Sequence, residues 1–413
     1  MLNQLTRLSI TREPEQSIRQ SARILASLLT VCAMFCSQAC AETPQSLRVK
    51  FVNVADSTQG FSEFSQFPAI NNRGAVAFVA QTDVEQEVVK WDHHNLTIMA
   101  STTDARFGLF TDDAVINTSG VVGFRALLTT GRRATGIFTS DGLTTKTIVD
   151  STEQGLSGPS MGAPSLNASG TVAFQASKTG LASTIIFTGN GGALTPVLDI
   201  VNSNFTSFGA VAINRTGQIV FQGLQKDKTR GIFVLAPTGD ETEKSGSTSP
   251  GSFSLIDIID THNPDFFDFG DPVINDAGVV ADLAGVTAGA EIFSGNEKSL
   301  TARTTPGNGL FIDFEHPSIN NRGAVAFSAF EANGGLGIFV ELTGKASPVA
   351  ILQTGDQLFG STVTAVTVGR FAFNDHLWLA FGYELQDGRS GIAVASLQSD
   401  QDEKSDHEED GEN

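Results

Sequence analysis

Short apolar runs broken by Asn-x-x-Gly recur along this chain, and the best formed is Ala69-Ile70-Asn71-Asn72-Arg73-Gly74-Ala75-Val76-Ala77-Phe78. A near copy is Ser318-Ile319-Asn320-Asn321-Arg322-Gly323-Ala324-Val325-Ala326-Phe327, and looser copies centre on Asn117, Asn167, Asn214, Asn275 and Asn374. An apolar segment ends at Asn, Gly supplies the positive φ of a tight hairpin, and a β-branched and aromatic run follows. Four residues beyond the turn glycine stands Phe78, Phe124, Phe174, Phe221 or Phe327, with Phe381 in the last copy and Asp282 in the fifth. A third strand follows each copy, at Glu87–Asp92, Thr135–Ser140, Ser183–Gly189, Arg230–Ala236, Ala290–Asn296, Leu336–Leu342 and Ser390–Leu397. Fourth strands follow at Leu96–Ser101, Thr145–Ser151, Leu194–Ile200, Ser254–Asp260, Leu300–Pro306 and Pro348–Asp356.

The last copy has no fourth strand after it, but Arg48–Asp56 precedes the first copy and supplies one. The repeat asparagines are spaced by 46, 50, 47, 61, 45 and 54 residues, near the period of about 50 that marks some propeller arrays. The long interval holds a polar insertion, Pro237–Gly251. The expectation is all-β: a seven-bladed β-propeller with four antiparallel strands per blade, its last blade closed by the N-terminal strand. Closure would remove the open join and protect the strand edges. Blades covered on both faces explain strands that read as near-continuous apolar runs. They also explain 30 Phe against one Tyr and two Trp, because a buried Phe leaves no polar tip to satisfy. A parallel β-helix competes, but it needs no strand borrowed across the termini.

The repeat resembles a group of exported bacterial proteins built from tandem I-N-x-x-G-x-V-A-F units, most of unknown function, which look like β-propellers. The resemblance covers about Arg48 to Leu397 and implies architecture and export. The last copy departs from it, with Leu377 in place of the turn glycine.

Composition adds compartment and partners. The N-terminus reads as a signal peptide over residues 1–41: Arg7, Arg12, Arg19 and Arg23 precede an apolar run from Ile24 to Cys36, with Ala39-Cys40-Ala41 as the cleavage site. That run is too short for a transmembrane anchor. All three cysteines, Cys32, Cys36 and Cys40, lie in this leader, so the mature chain would hold no disulfide. The expected organisation is residues 42–398 as propeller and 399–413 as a disordered acidic tail. The expected location is periplasmic or extracellular, with no membrane span after cleavage and a monomeric state. A net charge of −19 repels phosphate backbones and argues against a nucleic-acid partner.

Candidate chemistry gathers in loops at one mouth of the ring. The segment Asp260–Asp271 enters the fifth blade and Asp313-Phe314-Glu315-His316 enters the sixth. Together they offer Asp265, Asp268 and Glu315 as ligand-binding residues, and Asp265, Asp268 and Asp271 as oxygen ligands for Ca2+. His262 and His316 are candidate bases. On an acidic protein the same residues also read as a solvated rim. Asp282 stands where other blades have Phe, so it should be buried and in need of a partner. Arg106, Arg132 and Arg133 could meet an anionic ligand. Gly158-Pro159-Ser160-Met161-Gly162 matches a nucleophile motif but lacks the strand–turn–helix setting that motif requires. Two functions follow as expectations. One is a binding or scaffold module for a protein or carbohydrate ligand. The other is a lyase-like polysaccharide enzyme, with His262 or His316 as base and Arg106 or Arg132 facing a uronate.

Overall fold

The computed structural model describes residues 47–131, 133–181, 183–238, 253–304, 310–344 and 347–398. The expected leader and the expected acidic tail, Arg132 and nearly all of the 237–251 insertion lie outside the described residues. Seven antiparallel sheets form the blades of a closed β-propeller. The second blade shows the plan, running from axis to perimeter as Phe107–Ile116, Val122–Leu128, Thr135–Ser140 and Thr145–Asp150. In the first blade the axial strand is divided into Phe61–Phe64 and Ala69–Ile70. The fifth and sixth blades divide theirs in the same way.

The seventh blade closes the ring as expected. The N-terminal strand Arg48–Asp56 pairs outside Ser390–Gln398. Phe51 meets Phe381 edge-on at 6.0 Å, and Val54, Ala55, Ile392 and Val394 share one apolar cluster with Ile70, Val76, Phe78 and Trp91 of the first blade. The seam is therefore glued by the same apolar contacts as any other blade interface.

Within a blade, aromatic residues meet across neighbouring strands. Phe124 stacks on Phe138 at 5.7 Å while Phe107 abuts the same Phe138 at 5.0 Å. Phe327, Phe339 and Phe311 repeat the arrangement in the sixth blade. Such pairs contribute about 0.5–1.5 kcal/mol each beyond area burial. Two short helical segments, Ser151–Gln154 and Gly158–Ser160, lie between the second and third blades, the first taking Ser151 from the end of the expected fourth strand and the second lying in a stretch expected as loop.

The repeat turn has a second function that the sequence reading did not foresee. As expected, the Asn71 N–H bonds to Ala75 O at 3.0 Å, the Gly74 N–H bonds to Asn71 O at 3.0 Å, and Gly74 has φ 80°. These are the marks of a three-residue hairpin ending in a left-handed residue. In the last copy Leu377 takes that conformation itself, at φ 59°. Beyond this, the Asn71 Oδ1 accepts from the amides of Arg73 and Ala75, and its Nδ2 donates to Asn117 O of the next blade at 2.9 Å. Asn117, Asn167, Asn214, Asn275 and Asn320 pass the bond on at 3.3, 3.4, 2.9, 3.0 and 3.1 Å. Asn374 returns it to Asn71 O at 2.9 Å. Seven buried asparagines thus form a hydrogen-bonded circle around the axis.

Two turn glycines separate backbone strain from packing. A Cβ at Gly170 meets nothing within 4 Å, whereas one at Gly74 would stand 2.3 Å from the Trp378 ring across the seam. Gly170→Ala is expected to cost about 1–2 kcal/mol from its left-handed backbone. Gly74→Ala should cost clearly more, measured as urea-unfolding free energy, and equal losses would mean that Trp378 moves aside freely.

Candidate functional site

The axial strands carry a repeated irregularity beside the channel. β-Bulges lie between Phe61 and Glu63, Phe107 and Leu109, Phe205 and Ser207, Phe266 and Asp268, Phe311 and Asp313, and Val363 and Ala365. A bulge bends its strand and re-aims side chains, here at the mouth opposite the asparagine circle.

Between the bulges and the circle lies an axial cavity of about 650 Å³. The residue four before six of the seven ring asparagines lines it: Phe67, Ala163, Ala210, Asp271, His316 and Arg370. The neighbouring repeat positions hold similar residues from blade to blade, as Ile70, Ile116, Ile213, Ile274 and Ile319 do just before the asparagine. The cavity position does not repeat. It carries an aromatic ring, small side chains, a carboxylate, an imidazole and a guanidinium. Glu63, Phe64, Gln81, Gln86, Arg125 and Gln175 complete most of the polar and aromatic wall.

Arg370 reaches across the ring. Its Nη2 donates to Val211 O of the fourth blade at 3.2 Å and to Pro272 O of the fifth at 2.5 Å. The adjacent Phe371 packs with the apolar clusters of both the fourth–fifth and the fifth–sixth interfaces. Asp271 Oδ2 lies 3.8 Å from the His316 Nε2. Burial pushes the His316 pKa below its ordinary value, opposed by the Asp271 carboxylate and reinforced by the Arg370 charge. The imidazole is therefore neutral near pH 7 and able to accept a proton.

Asp282 is fully buried, as its place in the Phe column implied, and neither carboxylate oxygen has a well-formed hydrogen bond. Burial drives its pKa well up, and the Asp271 charge adds to that. The Leu283 and Gly270 amides and the Arg370 charge oppose the shift without reversing it. The residue breaking the Phe column and the one crossing the channel thus feel each other's charge.

The other sequence candidates lie apart from this cavity. His262 is on the rim, with Nδ1 2.9 Å from Asp260 Oδ2 and Nε2 3.9 Å from Asp227 Oδ2. Its bond to Asp260 raises its pKa, and nearby Asp257 is pushed up to about 6 by burial and by Asp260. Asp268 is paired with Arg230 at 2.9 Å, and Asp265 is exposed. Glu315 accepts from the Ser328 hydroxyl. Arg106 pairs with Asp104 at 2.7 Å and lies over the Phe107 ring. Arg133 is exposed, with φ 63°. Ser160 donates to Ser157 O and accepts from the Ser177 amide in a short helical turn, away from any nucleophile elbow. Among the described residues no group of three or more His, Cys, Asp or Glu side chains is disposed to hold a metal ion. None of their helices is long and apolar enough to cross a membrane.

A family of unknown function, DUF7453, matches residues 50–399. No curated protein matches the chain. Among solved structures, a prolyl endopeptidase resembles it with a TM-score of 0.52 and 10% identity, over 81% of this chain and 47% of that one. The Pyrococcus horikoshii acylaminoacyl peptidase does so with a TM-score of 0.49 and 11% identity, over 82% and 53%. The chain spans about half the length of these peptidases. At 10% identity the likeness to the prolyl endopeptidase is one of fold.

Proposed function

The chain belongs to the DUF7453 family, and we propose that it is a binding module whose protein or carbohydrate ligand enters the axial cavity, acting as an exported monomer. The observation that carries this reading is the cavity position itself. Six blades place Phe67, Ala163, Ala210, Asp271, His316 and Arg370 at one repeat position around one concave site, while neighbouring positions keep the scaffold regular. Ligand sites are concave, with a few convergent polar groups among apolar ones. The export half of the reading rests on the signal-like leader, and the monomeric half on a ring that closes on itself.

Ala163 is exposed in the cavity wall, so Ala163→Trp should fill the space without disturbing the core. Calorimetric titration of the full chain with soluble glycans (alginate, pectin, ulvan, dextran, chitosan oligomers) and with basic and acidic peptides should find at least one ligand. Ala163→Trp should weaken its binding by about tenfold or more, roughly 1.4 kcal/mol, with an unchanged melting temperature. A ligand indifferent to Ala163→Trp would end the axial reading.

A second reading has one specific support, the neutral His316 beside Asp271, which suits proton abstraction. A lyase acting on a uronate also needs a cation for the carboxylate. Arg370 is bound to two backbone carbonyls, Arg125 to Met161 O and Arg106 to Asp104, so binding is the better-supported function. Absorbance from unsaturated product on alginate, pectin or ulvan, lost in His316→Ala, would replace the binding reading with the enzyme.

A further inference from the structure

We propose that the ligand is an extended peptide bearing lysine or arginine, laid across the axial edge of the first blade from the axial cavity into a cleft at the closing seam. This rests on the axial cavity being the ligand site and adds the ligand's class and path. A second cavity, of about 350 Å³, lies between the seventh and first blades, and the Glu63–Gln66 segment is a wall of both.

The repeat explains why this interface is open. Eight residues after the ring asparagine, the second, fourth and fifth blades carry a side chain that reaches the next blade. Arg125 reaches Met161 O, Gln222 reaches Phe269 O, and Leu283 packs into the sixth-blade cluster. In the seventh blade this position is Gly382, a lining residue of the seam cleft. A Cβ there would stand 2.7 Å from Thr367 Oγ1 and 3.2 Å from Gln66 O. The Thr367 hydroxyl bonds to Gln66 O at 2.5 Å instead, leaving the space above it free.

The chemistry of the two cavities favours a cation. Glu63 and Glu384 are exposed and line the site. Their carboxylates accept no hydrogen bond or ion pair from the described residues. The nearby guanidiniums are engaged: Arg125 and Arg370 bind backbone carbonyls, and Arg389 binds Asp387 at 2.8 Å. Half-buried Phe64 and Phe67 add aromatic faces, which attract Lys and Arg side chains. The shared wall also contains part of Phe61–Phe64, the axial edge of its sheet. An edge strand presents unpaired backbone N–H and C=O groups. Another peptide backbone can pair with them, whereas a sugar chain has no matching ladder.

The test uses the full chain and fluorescent Gly–Ser peptides of about ten residues carrying two lysines at varied spacing, a length suited to strand-like recognition. The same peptides with two glutamates, and chitosan oligomers, serve as comparisons. The lysine peptides should bind at one preferred spacing. Glu63→Gln combined with Glu384→Gln should weaken binding by about tenfold or more. Glu153→Gln combined with Glu297→Gln, on remote exposed carboxylates, should leave it unchanged. An equal loss in the remote pair would reduce the effect to the overall acidity of the protein and overturn the proposal. Preference for chitosan oligomers would assign the carboxylates to an amino sugar and also overturn it. If a neutral or anionic ligand binds in a manner sensitive to Ala163→Trp, the axial site stands and the cationic peptide falls. If lysine peptides bind with sensitivity to Glu384→Gln but not to Ala163→Trp, the axial reading fails, and the path proposed here fails with it.

Discussion

Replacing Asn320 with alanine is expected to lower the unfolding free energy by about 3 kcal/mol, since each buried polar group left unsatisfied costs about 1–3 kcal/mol. Asn320 is 3% exposed, donates from Nδ2 to Asn374 O at 3.1 Å, and accepts at Oδ1 from the Arg322 and Ala324 amides at 3.0 Å each. Alanine removes all three bonds and leaves one carbonyl of the neighbouring blade and two turn amides without their partner. Asn320→Asp separates the two functions of the side chain. It keeps an acceptor for the turn amides but loses the donor across the interface and places a negative charge beside a carbonyl. Urea unfolding of the two variants therefore divides the cost between turn and circle. A loss below about 1 kcal/mol in the alanine variant would mean that the bonds are replaced by water at little cost. The circle would then not be what fixes the blades around the axis.

The blade count, the seven-membered ring and its closing strand were legible in the sequence because each depends on local, repeated signals. The asparagine, the left-handed glycine and the buried Phe occupy fixed offsets in copy after copy. The interblade bond from Asn71 to Asn117 was hidden for a related reason. A turn asparagine already has a sufficient local explanation, and nothing in one copy reveals a partner 46 residues away. The cavity was partly legible. Asp271 and His316 were picked out by residue type in loops entering adjacent blades, and Asp282 by its break with the Phe column. Arg370 was missed, because one arginine between Gly369 and Phe371 carries no pattern of its own. Aligning the copies on the asparagine and reading the fourth residue before it would have found it. His262, Asp265, Asp268 and Arg106 were chosen by the same criterion of residue type, but their offsets place them on the rim, where aspartates and an arginine satisfy one another.

Asp282→Asn is expected to stabilise the protein at pH 7, by about 1.4 kcal/mol for each pH unit below 7 over which the unfolded carboxyl is ionised and the folded one is not. The direction follows from proton linkage. The folded-state pKa of Asp282 is raised well above the ordinary value of 3.8 by complete burial. Below that value the carboxyl is protonated in both folded and unfolded chains, and it contributes no pH dependence. As pH rises through it, the unfolded chain releases the proton while the folded protein retains it, so stability falls with rising pH until the folded group ionises. Asparagine has no proton to lose, so the gain over the parent should be largest near neutrality and shrink towards zero below about pH 4. Paired urea titrations at the two pH values measure this directly. Should the variant instead be weaker at pH 7 and equal in acid, the carboxylate is ionised and held by Arg370 across the axis, and the buried-neutral account fails. In either case the Phe column is broken beside Asp271 and Arg370, whose charges act on the Asp282 carboxyl.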